Sequence, residues 1–316
     1  NTYTMTKRSF SLPKCFKKLS VWERVFLVIL LIIVTVIINN LFFKENSIEG
    51  FEETSEFIVK RGSDIYDDFY GSVYDDLVFN KIKNDFEVGT IINKTGPTEA
   101  SIILDIGSGT GHHVDAFTEN GFQATGIDKS PSMVKLAKEM YPDNTYIVGN
   151  AMNTMTFPPQ SFTHITCFYF TIYYIKNKRK FLKNCFTWLM PGGYLILHLV
   201  DKDNFDPIIP AGDPFNIISP QKYAKKRITS TSVKFDDMDY KSNFEEIPNT
   251  TTAIMKETFK NTKTGNVRQN NHELYMPSQA SILSIAKDLG FILMGQIDMV
   301  KCQYDSQYLY ILQKPN

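Results

Sequence analysis

The chain has 316 residues, enough for one large α/β domain with its own core and additional segments. Its 34 basic and 34 acidic side chains balance, which excludes a protein that binds a polyanion with its whole surface. The four cysteines form neither a C-x-x-C motif nor a Cys/His cluster with zinc spacing, so we expect no metal site and no disulfide framework.

The first predicted element is a membrane-spanning helix at residues 21–43. Its apolar run begins at Val25 and continues to Phe43 with few interruptions, which as a helix would span roughly 28 Å, close to the hydrocarbon thickness of a bilayer. Trp22 and Arg24 stand where interfacial residues are usual. No small-x-small cleavage site follows, so a transmembrane helix is favoured over a signal peptide.

The charges on either side predict the orientation of this helix. Residues 1–20 form a basic tail, and residues 44–60 form an acidic linker to the folded domain, residues 61–316. The positive-inside rule then places the N-terminus in the cytoplasm and the folded domain across the membrane. We therefore expect a single-pass membrane protein.

Strands and helices alternate in the core of the domain, residues 101–200. Before it, Tyr66, Tyr70 and Tyr74 follow one another at a spacing of four, which places their rings on one face of a helix. The alternation predicts a doubly wound, mostly parallel sheet that binds its ligand at the carboxyl ends of the strands. The predicted strands are Ser101–Ile106, Phe122–Ile127, Tyr146–Val148, Thr163–Phe170 and Tyr194–Val200.

The alternation stops after residue 200. Residues 202–275 begin with a loop rich in Pro, Asp and Asn and continue as several β-like runs, with a hairpin turn at Lys263–Asn266. We expect a small antiparallel β insertion beside the ligand site. Residues 276–316 then form a helix capped by Ser278 and a closing hairpin of Phe291–Val300 and Gln307–Gln313.

The first core strand ends in the segment L-D-I-G-S-G-T-G. Asp105 is followed by glycines at alternate positions, Gly107, Gly109 and Gly111. Glycine lets the chain turn tightly and lets a ligand contact the backbone, and the helix that follows offers free N–H groups. The nicotinamide fingerprint G-x-G-x-x-G places its third glycine one position later, so this spacing disfavours a dinucleotide.

This segment resembles the first motif of class I S-adenosylmethionine-dependent methyltransferases, and the resemblance continues in order over Ile102–Val200. A-T-G-I-D-K-S resembles the second motif, in which the acidic residue, here Asp128, binds both ribose hydroxyls. G-N-A-M resembles the third motif, which holds the adenine, although Asn150 stands where an aspartate is usual. L-M-P-G-G-Y-L-I-L resembles the turn and strand typical of small-molecule methyltransferases.

The resemblance implies a seven-stranded Rossmann-like sheet, S-adenosyl-L-methionine as cofactor and in-line methyl transfer. With nucleic-acid and protein-arginine substrates disfavoured, the expected acceptor is a small molecule or a membrane-proximal lipid, quinone or glycan. The implied cofactor-binding residues are Asp105, Gly107, Ser108, Gly109, Gly111, Asp128, Lys129, Met133, Asn150, Ala151, Met152 and Phe168, with Tyr66 and Tyr70 from the preceding helix.

Methyl transfer needs a general base only when the acceptor carries a proton that must leave. His272 in the insertion and His198 at the end of the fifth strand are the candidates, whereas His112 and His113 are interpreted as structural or adjacent to the cofactor. The aromatic run Phe168–Tyr174 is interpreted as core packing or as the wall of a substrate pocket. No nucleic-acid substrate is expected, because the [DNS]-P-P-[YFW] motif is missing after the fourth strand.

Two alternatives stay open. One is a catalytically inactive methyltransferase-fold scaffold or binding protein at a membrane, since Asn150 and His164 stand where acids are usual. The other concerns topology, because the charge bias places the domain outside the cytoplasm whereas S-adenosylmethionine is made inside. Either a carrier delivers the cofactor or the topology is inverted.

Overall fold

The computed structural model describes residues 55–208, 210 and 220–316, together with eight isolated positions between Ser20 and Val34. Most of the predicted tail (1–20), of the transmembrane helix (21–43) and of the linker (44–60) therefore lies outside the described residues. Across the positions that are described, no helix is both long and apolar enough to cross a membrane. The predicted membrane span is thus not supported.

Strands and helices alternate through the middle of the chain and give way to strands after residue 200. In chain order the strands are β1 Phe57–Arg61, β2 Ile102–Ile106, β3 Gln123–Asp128, β4 Thr145–Val148, β5 Phe162–Cys167, β6 Leu189–Val200, β7 Ser230–Lys234, β8 Met238–Glu246, β9 Thr252–Asn261, β10 Val267–Tyr275, β11 Ile292–Asp298 and β12 Gln307–Gln313. The α-helices are α1 Asp68–Val78, α2 Lys81–Thr95, α3 His112–Glu119, α4 Pro131–Met140, α5 Thr171–Tyr174, α6 Lys178–Trp188 and α7 Gln279–Asp288. Single 3₁₀ turns occupy Gly62–Ile65, Thr154–Thr156, Pro220–Tyr223 and Val300–Cys302.

The larger sheet has seven strands in the order β11–β12–β6–β5–β2–β3–β4. Strands β2 to β6 pair in parallel, and β12 runs antiparallel to both β6 and β11. This order confirms the predicted doubly wound sheet with an antiparallel terminal hairpin. Because the strand order reverses between β2 and β5, the loops that follow these two strands leave a crevice at their carboxyl ends.

Local sequence signals explain where the helices of this sheet begin. The hydroxyl of Ser130 accepts a hydrogen bond from the backbone N–H of Met133 at 3.1 Å, and Pro131 is the first residue of α4. Ser278 caps α7 in the same way, through the N–H of Ser281. Both helices begin at the serine that the sequence indicates.

The smaller sheet has five strands in the order β1–β10–β9–β8–β7. Strands β7 to β10 form the antiparallel arrangement predicted for the insertion. Strand β1, in contrast, comes from the N-terminal side and runs parallel to β10, with Phe57 opposite Val267. The predicted linker at residues 44–60 is therefore wrong at its end, because its last residues already belong to this sheet.

Two further element boundaries differ from the prediction and both shape the site. Strand β5 ends at Cys167 rather than Phe170, because the chain turns into the short helix α5. Tyr66 lies before α1 rather than within it, so only Tyr70 and Tyr74 share the predicted helical face. As a result, aromatic side chains from both segments reach the carboxyl edge of the larger sheet.

Candidate functional site

A cavity of about 1210 Å³ opens at the carboxyl edge of the seven-stranded sheet. The ends of β2 and β3 contribute Ile106, Gly107, Ile127 and Asp128 to it, and strands β8 to β10 line another side. Small-molecule sites usually measure ~300–1,000 Å³. The cavity is therefore large enough for a nucleoside cofactor together with a second, smaller molecule.

The glycine loop after β2 turns through left-handed backbone conformations. The φ angles of Gly107, Gly109 and Gly111 are +74°, +54° and +94°, which residues with a side chain rarely adopt. A Cβ atom on Gly107 would lie 2.4 Å from Oγ1 of Thr171. Gly107 and Gly109 line the cavity, so the loop presents bare backbone to a ligand.

Asp128, at the end of β3, holds the glycine loop in place and faces the cavity. Its Oδ2 accepts a hydrogen bond from the N–H of Gly109 at 3.1 Å, and its Oδ1 accepts one from the N–H of Ser130 at 2.8 Å. Burial raises the pKa of Asp128, although these two backbone N–H groups oppose the shift. Each carboxylate oxygen keeps a second lone pair, so the side chain can also accept from hydroxyl groups of a ligand.

Most of the predicted cofactor-binding residues lie around this cavity. They come from the glycine loop, from the turn after β3, from helix α4, from the turn after β4 and from the segment before α1. These residues are Gly107, Gly109, Asp128, Lys129, Met133, Asn150, Ala151, Met152 and Tyr66.

The other predicted cofactor-binding residues do not line the cavity. The carboxylate of Asp105 accepts a hydrogen bond from the hydroxyl of Thr166 at 2.7 Å, and burial raises its pKa. The ring of Phe168 stacks on that of His113 at 3.9 Å. Asp105 and Phe168 are buried next to the glycine loop and outside the cavity lining, and their contact with a cofactor stays a prediction. The remaining members of this set are Ser108, Gly111 and Tyr70.

Of the two histidines considered as a base, the structure brings His272 to the cavity and places His198 elsewhere. Nδ1 of His198 lies 3.0 Å from Glu87, and its Nε2 lies 2.9 Å from Oε1 of Gln307. His198 does not line the cavity, and both of its ring nitrogens have buried partners, so it does not reach a substrate. Nε2 of His113 lies 2.8 Å from the same Glu87, which makes both histidines partners of one buried carboxylate.

His272 belongs to a hydrogen-bonded line that the sequence analysis missed. Its Nε2 lies 2.7 Å from Oε2 of Glu257, and its Nδ1 lies 2.8 Å from the hydroxyl of Tyr174. Burial alone would raise the pKa of Glu257, but His272 and Tyr240 outweigh it and hold that pKa below its usual value. The aromatic run Phe168–Tyr174 was the available signal for Tyr174, whereas no motif marks Glu257.

The insertion gives the cavity a polar wall. Strands β8, β9 and β10 contribute amide, acidic and basic side chains that hydrogen bond readily to a polar molecule. They are Asn243, Glu245, Lys256, Gln269, Asn271 and Glu273.

Comparison with known proteins agrees with this arrangement. Residues 104–197 match a family model described as a methyltransferase domain. Phosphoethanolamine N-methyltransferase of Plasmodium falciparum (isolate 3D7) is 29% identical over 172 residues, which cover 51% of this chain and 61% of that protein. The dTDP-4-amino-2,3,4,6-tetradeoxy-D-glucose N,N-dimethyltransferase of Saccharopolyspora spinosa is 27% identical over 154 residues, 47% of this chain and 58% of that protein. The chain thus spans about half to three fifths of the length of the curated relatives that it matches.

Among solved structures, the chain is similar to S-adenosylmethionine-bound CalS10, an amino pentose methyltransferase from Micromonospora echinaspora. The TM-score is 0.54 at 16% identity, and the match covers 78% of this chain and 96% of that one. At this identity the likeness shows a shared fold. Together with the family model, it supports a class I S-adenosylmethionine-dependent methyltransferase domain, with S-adenosylmethionine as the cofactor.

Proposed function

We propose that this protein transfers a methyl group from S-adenosylmethionine to a small polar acceptor that lies in the cavity between the two sheets. The observation that carries the proposal is the position of Asp128 beside the bare backbone of Gly109 on one side of a cavity whose other side is the polar wall of the insertion. One side of the cavity thus suits a nucleoside, and the other suits an acceptor.

The residues on the cofactor side fit S-adenosylmethionine. The two oxygens of Asp128 suit the ribose hydroxyls, and Asn150 and Met152 lie at the rim where an adenine ring would be held. Gly107 and Gly109 line the cavity with positive φ angles, so bare backbone borders the space in which a nucleoside would lie. S-adenosylmethionine, when bound, supplies a methyl group on a positively charged sulfur.

The acceptor side fits a small molecule with several hydrogen-bonding groups. The polar wall offers both donors and acceptors, and the aromatic rings that line the same cavity reduce the room for water around a bound acceptor. The names of the relatives point the same way, since they specify phosphoethanolamine and an amino sugar nucleotide. This supports a small polar acceptor over a macromolecule.

The location of the protein is a separate proposal. The basic tail and apolar segment at residues 1–43 favour single-pass attachment to a membrane with a cytoplasmic N-terminus. Protease protection of the domain in sealed vesicles tests it: a protected domain lies in the lumen, a digested domain on a protein that sediments with the vesicles means inverted topology, and a protein that does not sediment with them contradicts the proposal.

Titration calorimetry with the full-length protein tests the proposed function. We expect saturable binding of S-adenosylmethionine, weak or no binding of NADH, and transfer of a labelled methyl group to at least one small polar compound. Asp128→Asn should weaken cofactor binding by about tenfold or more, whereas Asp143→Asn, at an exposed turn, should leave it unchanged. If wild-type protein does not bind S-adenosylmethionine, the proposal is wrong; binding without transfer would favour the scaffold alternative.

A further inference from the structure

Three residues from separate elements form one hydrogen-bonded line that ends at the cavity. Tyr174 closes α5, His272 lies on β10 and Glu257 lies on β9. The contacts between them are 2.8 Å and 2.7 Å long. Tyr174 and His272 line the cavity, and His272 is only 1% exposed, while Glu257 is completely buried behind them.

The hydrogen-bond partners of Glu257 determine which atom donates and which accepts in each hydrogen bond of this line. Tyr240 donates its hydroxyl to Oε1 at 2.7 Å, and Asn270 donates its amide to Oε2 at 3.3 Å. An ionised carboxylate only accepts hydrogen bonds, so Nε2 of His272 carries a proton and donates it to Glu257. In a neutral imidazole Nδ1 then has a free lone pair, which accepts the hydroxyl proton of Tyr174.

Tyr174 lines the cavity together with several other aromatic rings. Tyr66 packs edge-on against Tyr174 with ring centroids 6.0 Å apart, and Tyr74 lies 6.5 Å from Tyr66. Tyr169 and Phe170 extend this lining. Aromatic faces attract cations, and they do so most strongly where water is excluded. The surroundings of the Tyr174 hydroxyl therefore favour a positively charged group.

Resting on the proposed function, we propose that Tyr174, His272 and Glu257 form a proton relay that deprotonates an ammonium group, so that the acceptor is a primary or secondary amine. The ammonium proton passes to the oxygen of Tyr174 as the hydroxyl proton of Tyr174 passes to Nδ1 of His272. The nitrogen lone pair forms the new N–CH₃ bond while the S–CH₃ bond breaks and its electron pair stays on sulfur. Glu257 remains ionised beside the imidazolium, which returns its proton to water through Tyr174 after the product leaves.

The other titratable groups that contact His272 do not compete for this proton. Tyr66 and Tyr70 pack against its ring, with centroids 6.2 Å and 5.8 Å away. Burial raises the pKa of both tyrosines well above the usual value, so both stay neutral near pH 7. The charged groups of the polar wall, such as Lys256 and Glu273, are exposed to solvent.

A second hydrogen-bonded Tyr–His–carboxylate line in this chain serves as a matched control. The hydroxyl of Tyr141 lies 2.7 Å from Nδ1 of His112, and Nε2 of His112 lies 2.9 Å from Oδ2 of Asp75. These three residues are outside the set that lines the cavity. A hydroxyl lost from Tyr141 therefore removes the same kind of hydrogen bond without removing a group from the site.

The test compares Tyr174→Phe with Tyr141→Phe in the full-length protein from about pH 6 to about pH 10. The probes are ethanolamine, phosphoethanolamine and a 4-amino hexose, with catechol as a hydroxyl probe, and the product is S-adenosylhomocysteine. We expect an amine to be methylated and Tyr174→Phe to lower kcat/KM about 10²- to 10⁴-fold at neutral pH. The loss should shrink toward high pH, where water removes the ammonium proton, and Tyr141→Phe should match the wild type.

Two further measurements separate a relay from a structural role. Calorimetry should show that Tyr174→Phe binds S-adenosylmethionine as the wild type does, and nitrogen NMR should show that His272 carries its proton on Nε2. An equal loss of activity at every pH, a proton on Nδ1 instead, or methylation of catechol but of no amine would overturn the relay. Failure of wild-type protein to bind S-adenosylmethionine would instead overturn the proposed function.

Discussion

The hydroxyl of Tyr174 lies 2.8 Å from Nδ1 of His272, although 98 residues separate them in the chain. Tyr174 follows strand β5 of the larger sheet, and His272 lies on strand β10 of the smaller one. Their contact therefore joins the two sheets at the cavity. The proposed acceptor side of the site is complete only when both sheets have folded and packed together.

Cofactor affinity should depend on pH through Asp128. Burial raises its pKa above the ordinary value of 3.8, so on acidification the folded protein takes up this proton at a higher pH than an exposed aspartate does. Protonation removes a charged acceptor for the ribose hydroxyls, which weakens binding. We expect the Kd for S-adenosylmethionine to rise about tenfold or more as the pH falls through that pKa, measured by calorimetry. In Asp128→Asn the Kd should be higher at neutral pH and lack this rise; an identical rise in the variant would assign it to another group.

Stability should depend on Glu87, whose carboxylate is buried with three donors. Lys83, His113 and His198 surround it at 3.3, 2.8 and 3.0 Å. Burial alone would raise the pKa of Glu87, but these partners hold it well below the usual value. Because the folded-state pKa is depressed, the stabilisation is present above the unfolded pKa and is lost as the pH falls through the folded one. Glu87→Gln should lower the free energy of unfolding at pH 7 by about 3–5 kcal/mol.

Urea denaturation measures this change, and Asp85→Asn on the same helix is the control. Asp85 forms an exposed ion pair with Lys81 at 2.9 Å, and such pairs contribute at most about 1 kcal/mol. Equal destabilisation by both variants would show that the buried carboxylate has no special role.

Two glycines allow the steric role of the glycine loop to be separated from backbone strain. Gly107 and Gly121 both have positive φ, +74° and +86°, so alanine is strained at either position. Only at Gly107 does the new Cβ meet another atom, Oγ1 of Thr171 at 2.4 Å, whereas at Gly121 it meets nothing within 4 Å. Both variants should lose about 1–2 kcal/mol of stability from backbone strain. Gly107→Ala alone should also lose cofactor affinity, and equal affinity in the two variants would contradict a tight fit at the loop.

Lys178 should matter for acceptor binding because it ties α5 to β10. Its ammonium group donates to the backbone carbonyls of Ile172, Ile175 and Tyr275. Lys178→Met leaves these buried carbonyls without their donor and should cost about 1–3 kcal/mol of stability. Since Ile175 and Tyr275 line the cavity, the KM for the acceptor should rise more than the Kd for the cofactor. Lys180→Met, at an exposed position of the same helix, is the control. If Lys178→Met raised the Kd for the cofactor more than the KM for the acceptor, Lys178 would support cofactor binding instead.

The cofactor half of the site could be predicted because its signals are local. The glycine loop and Asp128 each follow a buried strand, and the alternation of strands and helices brings both to one edge of the sheet. The sequence did not indicate that β5 ends one residue before Phe168, whose ring packs on His113, and the contact of Phe168 with a cofactor stays a prediction.

The proposed acceptor half could be predicted only in part: the sequence indicates the antiparallel insertion and His272, whereas strand β1 and Glu257 depend on contacts between distant parts of the chain. Strand β1 has the sequence F-I-V-K-R, and nothing in these five residues indicates that they pair with β10, beginning at Val267. The propensity of a strand depends on its neighbours more than on its own residues. In the same way, Glu257 is recognisable only after β9 and β10 place it beside His272.

The pairing of β1 with β10 has a consequence for protein engineering. Because the acceptor wall is built on residues 230–275 and the cofactor side on residues 102–152, new acceptor preferences can be sought by exchanging the first segment alone. Such an exchange must preserve the pairing between β1 and β10. The segment taken from another protein must pair with Phe57–Arg61 of this chain, or it must be transferred together with the strand that pairs with it in that protein. Otherwise the smaller sheet would keep an unpaired edge strand, which favours aggregation.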